Sequence, residues 1–413
     1  MGGPAAPPRR RGRGSPLRAS PFPRADRGFA TAGVAPTPAP TGSRLWPVRR
    51  VSSAKSPPPA ESVRSGLGRV VGRRHTDRRS RRLARRREAR WRRIATASGL
   101  LGGYLLDAAL GDPRRLHPVA GFGTAAAALE RRMYQPTRAA GARYAAVAVG
   151  VPVLAATALS LATRRRPVIR AALVALTTWT VLGGRSLHRQ AGALARSLQA
   201  GDLDAARRRL PNLAGRDPSA LDERELARAT VESVAENTSD AVVAPLFWGA
   251  VAGLPGLVGY RAVNTLDAMV GHRTLRYAEF GTAAARADDV ANLVPSRLTA
   301  LAFVAGAPLV GGSRRQASWI WFRDGHRHPS PNAGQCEAAM AGALDVRLGG
   351  RNVYFGQAED RPTLGDGRPP EATDIYRAVR LSAAASGMAV AVAVLRALSG
   401  PWRRLIRRRR ASG

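Results

Sequence analysis

The chain has 413 residues, a formal net charge of +38 and one cysteine, Cys336. A single cysteine excludes an intrachain disulfide and a zinc site made of several thiolates. The sequence contains neither a Walker loop nor a dinucleotide-binding fingerprint, so these two classes of nucleotide site are excluded as well.

Residues 1–93 form an Arg- and Pro-rich extension. They carry 25 of the 66 Lys and Arg residues but four of the 28 Asp and Glu residues. With few aromatic residues and no apolar periodicity, they cannot bury enough surface to offset their chain entropy, so we expect disorder. No apolar segment typical of a secretory signal follows the early arginines. The extension is either a solvated basic tail or the result of a translation start placed too far upstream. An Arg run can bind nucleic acid or anionic lipid, but no nucleic-acid partner is expected.

From residue 94 onward the sequence consists of long runs rich in Ala, Val and Leu. The clearest run, residues 144–162, carries no charge, and its length is close to the roughly 20 residues that a bilayer core requires. A soluble protein with buried Ala-rich helices is the alternative, but uncharged runs of this length are uncommon there. The other candidate spans are residues 94–110, 167–184, 241–260, 298–312 and 381–395.

Five or six such spans predict an all-α, polytopic integral membrane protein of the cell membrane, with polar functional loops. We assign residues 94–398 to the membrane domain and residues 399–413 to a basic tail. Residues 241–260 contain Pro245 and Pro255. If this segment is re-entrant, the polar segments on either side of it lie on the same side of the membrane.

The first polar segment contains Asp107 and the pair Asp112-Pro113. A carboxylate inside an apolar run, such as Asp107, needs a partner or a function. Asp112-Pro113 is equally typical of a simple turn.

The second polar segment places Glu232, Glu236 and Asp240 at intervals of four residues. On a helix these carboxylates share one face and repel one another, unless a cation or basic groups lie opposite. Mg²⁺ is the cation that such oxygen ligands favour. A solvated acidic face balanced by Arg224 and Arg228 is the alternative.

Two further pairs of oxygen ligands follow at helical spacing. Asn264 and Asp267 are three residues apart, and Asp288 and Asn292 are four apart. Nearby arginines suit bidentate phosphate binding. Beyond them, residues 326–334 predict an irregular loop that leads into a helix of small residues. Glycines in residues 347–350 and 361–367 could let backbone amides approach a phosphate.

Six segments, read in order, resemble the CobD/CbiB family of cobalamin biosynthesis, the adenosylcobinamide-phosphate synthases. The resemblance spans roughly residues 94–398, and one departure is Gln335-Cys336, where the family pattern has an aromatic residue and a proline. The segments are GYLLDAALGDPRRLHPV (103–119), ATVESVAENTSDAVVAPLFW (229–248), YRAVNTLDAMVGHR (260–273), FGTAAARADDVANLVPSRLTAL (280–301), HPSPNAGQCEAAMAGALDVRLGG (328–350) and RPTLGDG (361–367).

The resemblance implies an integral membrane enzyme that joins the propionate carboxylate of adenosylcobyric acid to aminopropanol or its O-phosphate. The product is adenosylcobinamide or its phosphate. The resemblance also implies an ATP-dependent ligase with ATP and Mg²⁺ as cofactors. Its expected partners are the two substrates, the lipid bilayer and other late membrane enzymes of the pathway.

Site residues are carried over from the matching segments. We expect the catalytic residues to be Glu236, Asp240, Asp267 and His328, with His328 as the base that deprotonates the attacking ammonium. The expected metal ligands are Asp240, Asp267, Asp288, Asp289 and Asn292. Substrate and phosphate groups are expected to contact Asn237, Asn264, Arg286, Arg297, Ser330, Asn332, Glu337 and Arg361.

Two other classes of protein remain open from the residues. A membrane-embedded alcohol-phosphotransferase or prenyltransferase also uses acidic clusters and Mg²⁺ at the membrane edge. A non-enzymatic corrinoid transporter or scaffold would suit an intramembrane charge such as Asp107, although transporters usually contain internal repeats. Neither alternative forms an amide.

Overall fold

The computed structural model describes residues 62–113, 117–272, 274–354 and 357–399, and the side chains of residues 62–82 and 351–359 lie outside this description. By its internal contacts the chain divides into two units, Met1–Leu67 and Gly68–Gly413. The helices around the functional residues all belong to the second unit.

The described residues are mostly helical. Three short segments of 3₁₀- or π-helix, Leu210–Asn212, Ser239–Val243 and Ala307–Val310, connect or extend the longer helices. The α-helices are α1 (Ser62–Leu110), α2 (Pro118–Met133), α3 (Arg138–Ala162), α4 (Pro167–Val181), α5 (Gly184–Gln199), α6 (Leu203–Arg209), α7 (Glu223–Thr238), α8 (Ala244–Ala252), α9 (Leu254–Val270), α10 (Thr282–Gly306), α11 (Arg314–Asp324), α12 (Ala333–Leu344) and α13 (Ala372–Ser399).

Four helical segments of the described chain are long and apolar enough to cross a membrane. They contain the predicted runs that begin at residues 144, 167 and 381, and residues 298–310 of the run that begins at residue 298. Along α3, Val151 and Leu154 are 62% and 70% exposed, a pattern typical of a helix that faces lipid. The segments are Arg138–Ala162, Pro167–Gln199, Thr282–Val310 and Ala372–Ser399.

Of the five or six predicted spans, the described residues therefore contain four helical segments that meet the requirements of length and hydropathy. Residues 241–260 form no continuous helix, because the chain breaks at Gly253, whose φ of 67° is left-handed. Pro255 lies in the first turn of α9, where the missing N–H costs nothing. Pro245 lies where the π-helical segment passes into α8. Residues 94–110 are helical within α1 but do not reach the hydropathy of a span.

Two features add detail to the predicted fold. The described residues are mostly helical, as predicted, and β1 (Leu348–Tyr354) and β2 (Gln357–Leu364) add one antiparallel hairpin. The extension predicted to be disordered up to residue 93 is helical from Ser62, where α1 begins. Residues 1–61 and the tail 400–413 lie outside the described residues.

Close contact between α1 and α4 depends on two glycines, Gly99 and Gly103, four residues apart. A Cβ atom at Gly99 would lie 2.6 Å from Val174 Cβ, and one at Gly103 would lie 2.4 Å from Thr178 Cβ. Small residues at this spacing let two membrane helices approach through their backbones. The neighbouring Gly102 has more room, since its nearest neighbour, Ala175 Cβ, would be 3.6 Å away.

We predict that Gly103→Ala lowers the free energy of unfolding by about 1–3 kcal/mol, because the added methyl overpacks the α1–α4 contact. Gly102→Ala is the matched control, and it should be neutral or stabilise by up to about 1 kcal/mol through its helix propensity. The measurement is thermal unfolding of each variant in detergent, followed by circular dichroism. Equal behaviour of the two variants would contradict this account of the contact.

Candidate active site

A cleft lies between α7, the π-helical segment, α9, α10 and the loop that precedes α12. It has two adjoining parts of about 410 and 1260 Å³. Both parts are lined by Glu236, Asp240, Asp267, His272, His328, Ser330 and Arg361. These shared residues make the two parts one continuous site.

The structure brings most of the predicted site residues to this cleft. Residues that line it are Glu236, Asn237, Asp240, Asn264, Asp267, Asp288, Asp289, Asn292, His328, Ser330, Asn332 and Arg361. Arg297 reaches it indirectly, because its Nη1 donates to Asn332 Oδ1 at 3.2 Å. Glu337 is buried in α12 and lies near Glu236 and Arg361. Arg286 is exposed on α10 and does not line the cleft.

Asp288 is oriented by amides from two helices. Asn264 Nδ2 donates to its Oδ1 at 3.3 Å, and Asn292 Nδ2 donates to its Oδ2 at 3.0 Å. Asn292 is itself held by the hydroxyl of Tyr260, which donates to Asn292 Oδ1 at 3.0 Å. These bonds fix the Asp288 carboxylate between α9 and α10. The spacing of Asp288 and Asn292 predicted that they share a helix face, whereas the contact with Asn264 joins two helices and was not predicted.

Asp267 lies against a glycine. A Cβ atom at Gly271 would be 1.9 Å from Asp267 Oδ1, so a larger residue at position 271 would displace the carboxylate. Burial raises the pKa of Asp267 to about 7, and the nearby carboxylates of Asp288, Asp289 and Glu236 contribute. Asp267 can therefore take up or release a proton near neutral pH.

The other acidic residues of the site are shifted in the same direction. Burial, followed by repulsion from Asp288 and Glu236, raises the pKa of Asp240 well above its usual range. Glu236 is exposed to the cleft, yet its protein surroundings also raise its pKa, and Arg361 and Arg216 partly oppose the shift. Burial likewise raises the pKa of the Cys336 thiol, so this cysteine is not an activated nucleophile. The site gathers more negative charge than its arginines offset.

His328 lies in the loop between α11 and α12 and is 7% exposed. Ser330 N lies 3.0 Å from its Nδ1, and Arg361 Nη1 lies 3.2 Å from its Nε2. These contacts hold the ring in the wall of the cleft, next to Ser330 and Arg361.

Glu232 is part of an ion network that the sequence did not reveal. Its carboxylate pairs with Arg216, from the α6–α7 connection, and with Arg228 Nη1 at 3.4 Å. It also accepts from the backbone N–H of Gly349 at 2.7 Å. The sequence indicates Arg228 as a counter-charge for Glu232, since the two residues are four apart on α7. Arg216 is distant in sequence and has no local pattern that predicts the contact.

The chemistry of the acidic residues suits Mg²⁺, which prefers oxygen ligands. Within the described residues, however, no three His, Cys, Asp or Glu side chains are arranged to hold a metal ion. The described residues therefore do not form a metal site in which every ligand is a protein side chain. Mg²⁺ usually keeps several waters and uses one or two carboxylates together with substrate phosphates. Asp240 and Asp267 would supply these two carboxylates.

Four apolar helices and a carboxylate-rich cleft define a helical membrane protein with a polar ligand site. The chain matches the family model described as CobD/Cbib protein over residues 100–382. It therefore belongs to the CobD/Cbib family.

Curated relatives agree with this assignment. The chain is 53% identical over 300 residues to the cobalamin biosynthesis protein CobD of Mycobacterium tuberculosis, covering 72% of this chain and 95% of the relative. It is 46% identical over 302 residues to the CobD protein of Geobacter metallireducens, with the same coverage of both chains. It is 43% identical over 304 residues to that of Rhodobacter capsulatus, covering 71% and 95%. No solved structure matches the chain.

We predict that Asp267→Asn weakens the pH dependence of stability. Because the folded-state pKa is about 7 and the usual value is 3.8, folded Asp267 keeps a proton that the unfolded chain has lost between these two pH values. The free energy of unfolding should therefore fall as pH rises from about 4 to 7, and asparagine removes this contribution. Thermal midpoints in detergent at several pH values measure it. The exposed variant Asp204→Asn should keep the wild-type slope, and the same slope in Asp267→Asn would contradict the assignment.

We predict that Glu232→Ala lowers the free energy of unfolding by about 3–5 kcal/mol, because it removes the buried carboxylate that pairs with Arg216 and Arg228. Asp204→Ala removes the carboxylate of an exposed pair with Arg207 and should cost about 1 kcal/mol or less. Thermal unfolding in detergent compares the two variants. Losses of similar size would show that the Glu232 network does not stabilise the fold.

Proposed function

We propose that this protein acts in cobalamin biosynthesis and converts adenosylcobyric acid to adenosylcobinamide or its phosphate. The reaction forms an amide between the propionate carboxylate of the corrinoid and the amine of aminopropanol or its O-phosphate. We propose further that it is ATP-dependent and takes place in a multi-pass protein of the cell membrane. Membership of the CobD/Cbib family supports the pathway, since the relatives are named cobalamin biosynthesis proteins.

One observation in the site supports an ATP-dependent ligation as the type of reaction. Carboxylates and guanidinium groups face the same cleft, and one carboxylate, Asp267, has a pKa of about 7. A carboxylate substrate cannot react with an amine until its oxygen becomes a better leaving group. Transfer of a phosphoryl group from ATP supplies that leaving group, and attack by the amine then releases phosphate.

Arginines of the cleft are suited to stabilise the negative charge of the nucleotide phosphates and of the acyl phosphate. Arg361 and Arg261 line its larger part, and guanidinium groups stabilise phosphate and acyl-phosphate oxygens through paired N–H donors. Arg361 suits this role better than Arg286, which is exposed outside the cleft. A bound Mg²⁺ would supply charge neutralisation at the nucleotide phosphates, with Asp240 and Asp267 as its protein ligands.

The attacking amine is protonated in solution and must lose a proton before it reacts. His328 is the proposed base, because it lines the cleft and histidine is the side chain that most often acts as a general base. Arg361 Nη1 lies 3.2 Å from its Nε2, so an anionic substrate that draws Arg361 away would open this side of the ring to the amine. Asp267 is proposed as a second acceptor, since its pKa is about 7.

Complementation tests the proposed function. The gene, both full length and begun near residue 94, is placed in a bacterium that lacks its own cobinamide-forming step and receives cobyric acid as its sole corrinoid. We expect growth with either form, because the cleft lies outside the extension. Failure of both forms, with cobinamide still restoring growth, would contradict the proposal. Activity that required a lipid diphosphate would favour a membrane transferase.

The same strain tests the acidic residues. We expect Asp240→Ala and Asp267→Ala to reduce growth on cobyric acid severely, and Asp204→Asn to grow as wild type, with equal protein levels checked by immunoblot. Removal of one group that stabilises transition-state charge typically costs about 10²–10³ in turnover. Full turnover by either alanine variant would exclude the proposed metal role.

A further inference from the structure

A side cavity of about 480 Å³ lies next to the cleft, where α1 ends, α5 begins and α7 ends. It shares Leu213, Asn237 and Ala241 with the larger part of the cleft. Asn237 follows Glu236 directly in α7, so one helical turn borders both spaces. The side cavity therefore opens beside the acidic residues of the site, although the proposed reaction assigns it no part.

Two polar groups of the side cavity have no hydrogen-bond partner within the described residues. They are Asp112 Oδ1 and Ser186 Oγ, both shielded from solvent. No described residue donates a hydrogen bond to the other Asp112 oxygen either. A buried polar atom without a partner is costly, and native proteins rarely keep one without a reason. A ligand with N–H donors would satisfy both groups.

The charge of the side cavity is mixed. Asp112 supplies a carboxylate, and Arg189 supplies a guanidinium. His117 Nδ1 accepts from Val119 N at 3.2 Å, so in the neutral ring the proton is on Nε2, which becomes a donor. Asn237 Nδ2 is held by Ser233 O at 2.9 Å and Ser233 Oγ at 3.0 Å, which leaves its amide oxygen as the acceptor.

This combination selects the class of ligand. A carboxylate, a hydroxyl and an amide oxygen match the three N–H donors of a primary ammonium. Arg189 and His117 match a phosphate or hydroxyl group on the same molecule. A corrinoid is too large for this volume, and a nucleotide triphosphate would be repelled by Asp112 with a single described arginine in the lining. The fit is to a small amino alcohol or its phosphate ester.

We propose that the side cavity binds the amine substrate, with its ammonium at Asp112 and Ser186 and its hydroxyl or phosphate at Arg189. The inference rests on the proposed function and adds the place from which the amine enters. Asn237 then forms the boundary that the amine crosses to reach the carboxylate in the cleft. Asp112 and Ser186 act by binding, and the chemical step belongs to the residues of the cleft.

Steady-state kinetics of the full-length protein in detergent test the subsite. Asp112→Asn and Ser186→Ala should raise the KM for aminopropanol O-phosphate by about tenfold or more, as expected for the loss of a charge-assisted or buried hydrogen bond. The KM for the corrinoid and kcat at saturating amine should change by less than about twofold, because the interaction is one of uniform binding. Ser197→Ala, on the same helix α5, and Asp204→Asn are matched controls. An unchanged amine KM in both variants would overturn the proposal.

The two forms of the amine separate the two ends of the cavity. Arg189→Gln should weaken aminopropanol O-phosphate much more than free aminopropanol, because a guanidinium binds a phosphate more strongly than a hydroxyl, whereas Asp112→Asn should weaken both to a similar extent. Equal effects of Arg189→Gln on the two amines would contradict the assignment of Arg189.

Calorimetric binding of aminopropanol O-phosphate to the wild-type protein and the Asp112→Asn variant gives a readout independent of turnover. If the wild type binds the amine but forms no amide, the proposed function fails while the subsite stands. If the wild type forms the amide and Asp112→Asn binds the amine equally well, the subsite fails while the function stands. Inorganic phosphate that competed as strongly as the amine would also overturn the ammonium contact.

Discussion

Repulsion among the carboxylates that line the cleft is the constraint on which this site depends. Glu236, Asp240 and Asp267 come from different parts of two helices and line one cleft with Asp288 and Asp289. In a low-dielectric environment such groups cannot all be ionised without a counter-charge. Arginines and amide donors reduce this repulsion. Retained protons reduce it as well, since the pKa of Asp267 is about 7. The negative charge that remains favours the binding of a cation in the cleft.

The backbone that meets this constraint is interrupted where the acidic residues lie. The α-helix of α7 ends at Thr238, the π-helical segment Ser239–Val243 follows, and the chain breaks again at Gly253. π-Helical turns often occur at functional sites, because they change the register of the side chains that follow. Asp240 lies within that segment and faces the same cleft as Glu236. The chain that continues through α9 returns Asp267 to the cleft, and Asp288 on α10 completes it.

The sequence predicted which residues line this cleft better than how the chain brings them together. Local spacing was sufficient for Asp288 and Asn292, because both lie on the continuous helix α10, where i, i+4 residues share a face. It was also sufficient for the apolar run in α3, which has to satisfy a bilayer. Spacing left residues 241–260 open between a continuous span and a re-entrant segment, because hydropathy does not record the positive φ at Gly253. It failed for Arg216 and for the hairpin, since both depend on contacts between residues far apart in sequence. Arg286 was predicted to contact substrate or phosphate but does not line the cleft. A basic residue beside acidic ones on a helix can still point away from them.

The β-hairpin links the stability of the fold to the charge of the cleft. One strand is held through Gly349, whose backbone N–H donates to the buried Glu232. The other strand carries Arg361, which contacts His328 and lowers the electrostatic cost of Glu236 and Glu337. Because both strands are attached to charged groups of the site, the hairpin cannot leave without exposing Glu232 and removing a positive charge from the acidic cleft. An element that looks peripheral in the helical fold is thus part of the electrostatic balance of the site. Binding of an anionic substrate, which would compete for Arg361, has to act on the hairpin as well as on His328.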